Sequence, residues 1–188
     1  KRRRRILRGC GRRQPGRWGG MAGELEPGMA AALVAQLGDT REEVREAAMR
    51  AAGLRKLSAA REPVLKIIGG TSSEEELSCA LDAMEELGHR AEGLEAAVAR
   101  LEDPVLSMGV QEKLLGLFAA DGWVCHGQID PGALAKAETS WREYLRAHAA
   151  EIDAGKKLDA TQASVDMFPG GNYVHLMAGG TYPPGRGK

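Results

Sequence analysis

The chain is short of aromatic residues and cysteine, and it has no long apolar run. Eight aromatic side chains are spread over 188 residues, and none lies between Trp18 and Phe118. The middle of the chain is instead rich in Ala, Leu, Glu and Arg, all good helix formers. No apolar stretch approaches the ~20 residues of a membrane-spanning helix, so no membrane span is expected. Three cysteines, Cys10, Cys79 and Cys125, form no CxxC pair. So sparse and odd a set excludes a disulfide framework and a structural zinc site of that type. It points to reduced thiols and a cytoplasmic setting.

The formal net charge of zero hides an asymmetry. Residues 1–20 carry nine Lys or Arg and no acid, whereas the other 168 residues hold 17 basic and 26 acidic side chains. The basic segment has too little apolar content to fold and reads as disordered. Met21 opens a stretch of ordinary composition. Residues 1–20 therefore read first as upstream translation or the remnant of a longer protein. The alternative is a segment that binds nucleic acid or an anionic surface.

What is present in abundance is helical periodicity with a longer repeat laid over it. Val44, Leu77 and Val110 are 33 residues apart, as are Ala48, Leu81 and Leu114, and Ala51, Met84 and Leu117. A fixed period in this range marks stacked structural units. Unit one has a first helix with Val44, Ala47, Ala48, Ala51 and Leu54 on its apolar stripe. Thr40 and Glu43 stand at capping-box spacing before it, and Glu46 and Arg50 are placed to pair at i,i+4. Its second helix is expected over about residues 59–68. Unit two restarts at Ser72-Ser73 after Gly69-Gly70, with Glu74, Glu75 and Glu76 in its first turn and Gly88 placed to end the helix. Its second helix is expected over about 91–101. Unit three opens at Asp103-Pro104. Its pattern then breaks at Asp121–Gly127, which reads as a loop, before one long helix from Asp130 to about Ile152. Trp141 and Tyr144 on that helix would seal the end of the stack. Residues 154–188 lose periodicity and read as an irregular, Gly- and Pro-containing tail.

The pattern Leu37-Gly38-Asp39-Thr40 with Val44, Ala47, Ala48 and Leu54, echoed by Leu101-Glu102-Asp103-Pro104 with Val110 and Leu114, resembles HEAT-type repeats over residues 29–120. The resemblance implies an all-α fold: a short right-handed α-solenoid of about three antiparallel helix pairs. It would occupy residues 21–153, between the basic segment 1–20 and the tail 154–188. It also implies a partner-binding concave face lined by the second helices. HEAT-type di-iron hydroxylases carry His-Glu dipeptides, and this chain has none. HEAT-like DNA glycosylases offer a basic, aromatic-lined groove, which the acidic, aromatic-poor repeats lack.

The chemistry candidates are few. Cys125-His126 is the one adjacent thiol–imidazole pair, and a Cys–His couple can generate a thiolate nucleophile. With no third group to orient it, it reads as part of a loop, and a HEAT-derived enzyme using Cys125 and His126 stands as an alternative. Glu74-Glu75-Glu76 and Glu85-Glu86 read as a solvated face, not a metal site. Gly69-Gly70-Thr71 and Gly170-Gly171-Asn172 read as turns, since neither has the lysine of a phosphate loop. Cys79 falls one residue before the buried stripe, at a flank position. The expectation is therefore a non-enzymatic protein-interaction or scaffold module whose partner is another protein. No cofactor, metal or catalytic residue is expected. The partner-binding candidates are Glu62, Lys66, Glu95 and Arg100 on the second helices, together with Trp123 in the irregular closure.

Overall fold

The computed structural model describes residues 26–118, 123–126, 132, 134–158 and 172–175. The basic segment 1–20 and most of the tail lie outside the described residues. The chain forms α1 (Pro27–Ala35), α2 (Glu42–Leu54), α3 (Arg61–Gly70), α4 (Glu74–Glu86), α5 (Arg90–Val98) and α6 (Ser107–Leu115). After these come β1 (Trp123–His126), α7 (Leu134–Ala147), α8 (Ala149–Asp153) and β2 (Asn172–His175). Among the described residues no helix is long and apolar enough to cross a membrane.

The buried side of α4 is the centre of the fold. Leu77, Ala80, Leu81 and Met84 are all buried, and α4 packs against α2, α3 and α5. Neighbours on three sides need more than one apolar stripe. Cys79, expected on a flank, is accordingly buried as well, with its Sγ 3.5 Å from the Glu46 carbonyl oxygen. On α2 the buried set is Ala48, Met49, Ala52 and Gly53, while Leu54 is 74% exposed. The stripe read from the sequence was thus rotated by about one residue. Small residues are favoured on this side because α2 approaches α4 closely. A Cβ on Gly53 would lie 3.3 Å from the Ala83 Cα.

Helix ends follow local chemistry. Ser73 caps α4 by accepting from the Glu76 N–H at 3.2 Å. Gly88, at φ +81°, then ends it. His89 N–H reaches back to the Met84 oxygen and Gly88 N–H to the Glu85 oxygen, the paired bonds of a Schellman ending. The expected Thr40–Glu43 capping box does not form. The Asp39 carboxylate instead accepts from the Arg41 backbone N–H at 2.9 Å, and α2 begins at Glu42. An Asp side chain bonds the backbone N–H two residues on more strongly than a Ser or Thr hydroxyl does.

The long helix expected over 130–152 breaks at His148, giving α7 and α8. Trp141, Leu145 and Ile152 are buried there, and both helices pack on α5. Phe118 joins this end to the body, with its ring centroid 6.2 Å from that of Trp141 and 5.9 Å from that of Tyr144.

The expected loop at 121–127 contains a strand. Trp123–His126 pairs antiparallel with Asn172–His175 of the expected irregular tail, Val124 opposite Val174 and Cys125 opposite Tyr173. β-branched and aromatic residues favour the extended backbone, and strands this short leave no helical period to read. The tail is also tied to the body near its start. Leu158 is buried and its N–H donates to the Leu117 oxygen at 2.8 Å.

Several polar contacts between helices share a spacing of their own. Glu42–Ser73, Arg45–Glu76, Arg61–Glu92, Gly69–Arg100 and Asp82–Lys113 each join residues 31 apart. The contacts between α2 and α4, between α3 and the α5 region, and between α4 and α6 thus share one sequence offset.

Candidate binding cleft

Where α1 and its following 3-10 turn (Gln36–Gly38) lean toward α3, they leave a cleft of about 830 Å³. Val34, Ala35 and Leu37 form one wall, and Glu62, Pro63, Lys66, Ile67 and Gly70 of α3 form the other. The α3–α4 turn, Thr71–Ser73, and the first turns of α2 and α4 supply Glu42, Arg45 and Glu76.

The polar end of the cleft is a fully engaged network around Glu76, a residue only 3% exposed. Arg45 Nε donates to Glu76 Oε1 at 2.5 Å, and Thr71 Oγ1 donates to Glu76 Oε2 at 2.5 Å. Arg45 Nη1 continues to the carbonyl oxygens of Asp39 and Thr40. Ser73 Oγ donates to Glu42 Oε1. Burial opposes ionisation of Glu76, but the hydrogen bonds from Arg45 and Thr71 outweigh it, and the carboxyl lies below its ordinary value. Glu76 is thus a charged strut with both oxygens occupied, not a proton donor. Nearby, the Arg41 hydrogen bonds hold the Asp39 carboxyl down at about 2.

The sequence candidates divide. Glu62 and Lys66 both line the cleft and are exposed, one helical turn apart on α3. Glu62 has only Arg61 near it, at 4.0 Å, and Lys66 has no ion-pair partner among the described residues. Glu95 lies elsewhere, paired with Arg146 of α7. Arg100 acts within the fold. Its Nη1 donates to the Gly69 oxygen at 2.9 Å and its Nη2 to the Thr71 oxygen at 2.7 Å, holding the turn that carries Thr71. Trp123 is on β1, as are Cys125 and His126. No group of three or more metal-ligating side chains comes together among the described residues.

Sequence reasoning put Glu42, Arg45 and Thr71 in no site, and it read Glu76 as part of a solvated face, whereas the residue is buried between Arg45 and Thr71. One signal did exist. Glu76 is four residues before Ala80 and seven before Ala83, on a buried row of α4, and an acid in such a row demands a partner. The partner itself, 31 residues upstream, is invisible to a 33-residue apolar period. No protein-family model, curated protein or solved structure matches the chain.

Proposed function

We propose that the chain is a short HEAT-like helical-repeat module that binds a partner protein in the cleft between α1 and α3 and performs no chemical step. The observation that carries this reading is the make-up of the cleft. An apolar wall of Val34, Leu37, Pro63 and Ile67 stands beside Glu62 and Lys66, two charges without strong partners of their own. Apolar area with a few unspent polar groups suits the anchoring of a polypeptide segment. The saturated Arg45–Glu76–Thr71 network makes the floor rigid, which lowers the entropy lost on binding. The recurring 31-residue contacts support a stacked, solenoid-like arrangement of units behind it.

The test is a selection of displayed peptides on the wild-type chain, with Gly70→Trp as counter-bait. Gly70 lines the cleft with open space where a Cβ would sit, so an indole there fills the site without disturbing the core. Selected peptides are expected to bind the variant at least about tenfold more weakly, a difference of ~1.4 kcal/mol. Peptides that bind both forms equally, or no enrichment at all, would sink the reading.

A further inference from the structure

The cleft carries a charge pattern that complements itself. Glu62 and Lys66 lie four residues apart on α3, hence on one face and about 6 Å apart along the axis. Both are exposed, and they are not bonded to each other. Two copies of such a helix, laid antiparallel about a two-fold axis, set each Glu62 against the other copy's Lys66. A face matched to its own image is what an isologous interface requires.

The surroundings of α3 favour close approach. Gly69 and Gly70 are exposed and have no atom within 4 Å of where a Cβ would sit. Pro63 and Ile67, each next to one of the charges in sequence, add half-buried apolar surface. Beside them α1, PGMAAALVA, has no polar side chain and no buried residue, and its Met29 is 53% exposed. A helix apolar on every side is ordinarily covered.

Taking the cleft as a protein-binding surface, as proposed above, we infer that its occupant is a second copy of this chain, joined through α3 about a two-fold axis with reciprocal Glu62–Lys66 pairs. Exposed ion pairs contribute little each, so they select the partner and its orientation. The apolar surface of α1 and α3 supplies the attraction.

The experiment is sedimentation equilibrium of the full chain from micromolar to millimolar concentration, on wild type, E62K, K66E and the double variant. Wild type is expected to dimerise. E62K sets cations against cations and K66E sets acids against acids, so each should weaken self-association on the order of tenfold or more. An equimolar mixture of E62K and K66E should recover a heterodimer, and the double variant a homodimer. Recovery on mixing also excludes misfolding of the single variants. Three results would each overturn the inference: a monomeric wild type, a dimer indifferent to the swaps, or a mixture that fails to recover. A monomeric wild type whose selected peptides still depend on Gly70 removes the second copy while leaving the cleft reading intact. Loss of both removes both.

Discussion

Arg45 Nε and Glu76 Oε1 meet at 2.5 Å between α2 and α4, and the Glu76 side chain is only 4% exposed. Removing one member leaves the other charge without its partner in a poorly hydrated place. Arg45→Met and Glu76→Ala are each expected to cost about 3 kcal/mol. Combining Arg45→Met with Glu76→Ala should cost clearly less than the two single changes added together. Urea unfolding of the four proteins measures this. Simple additivity would mean the pair is not coupled.

The same carboxylate sets a pH dependence. The Glu76 carboxyl lies below its ordinary 4.5 in the folded chain, so the unfolded state binds more protons in that range. The stability it contributes is present above about pH 4.5 and is lost as pH falls through the folded value. Glu92, held low by Arg61, acts in the same direction. Thermal unfolding should show a shallower acid-side loss in Glu76→Gln than in wild type. An unchanged acid limb would assign the loss to other groups.

Part of the apolar pattern was legible because positions that face a helical core must be apolar. Leu77 and Val110, Ala48, Leu81 and Leu114, and Met84 and Leu117 are buried at the expected 33-residue spacing, whereas Val44 and Ala51, the first members of two of those sets, are only half-buried. Those marks fix which faces turn inward, not how far the helices approach one another. Leu54 was misplaced for that reason: α2 comes so near α4 that Gly53 and Ala52 fill the contact and leucine is turned out. The cleft was half legible. Exposed charges led to Glu62 and Lys66 on α3, whereas Arg45, Thr71 and Glu76 depend on the 31-residue offset between α2 and α4. That offset is a property of turn geometry and leaves no mark in composition. Arg100 was singled out for its charge, yet two backbone carbonyls claim its guanidinium.

Close helix contact predicts opposite outcomes for one substitution at two glycines. A Cβ on Gly93 would lie 2.8 Å from the Met84 Cβ, an atom with no freedom to move aside. Gly93→Ala should therefore destabilise by about 1–3 kcal/mol despite the better helix propensity of alanine. Gly69 sits in α3 with open space around it. Gly69→Ala should stabilise by about 0.5–1 kcal/mol. Denaturant midpoints of the two variants give the comparison, and two changes of the same sign would contradict the packing described.

Lys56 is the non-glycine residue with positive φ, at +52°, among the described residues. It ends α2 as Gly88 ends α4. The Leu57 N–H returns to the Ala52 oxygen and the Lys56 N–H to the Gly53 oxygen, the same paired bonds made by His89 and Gly88. The left-handed conformation costs an ordinary L-residue on the order of 1 kcal/mol, and glycine escapes that cost. Lys56 is exposed and forms no ion pair among the described residues, so its side chain offers little in return. Lys56→Gly is expected to raise stability by about 0.5–1 kcal/mol, partly offset by the added freedom of the unfolded chain. Lys56→Val, whose branched side chain tolerates positive φ least, should lower it. Chemical unfolding of both variants tests the pair. Equal stability of the glycine and valine forms would mean that α2 does not end in a left-handed residue.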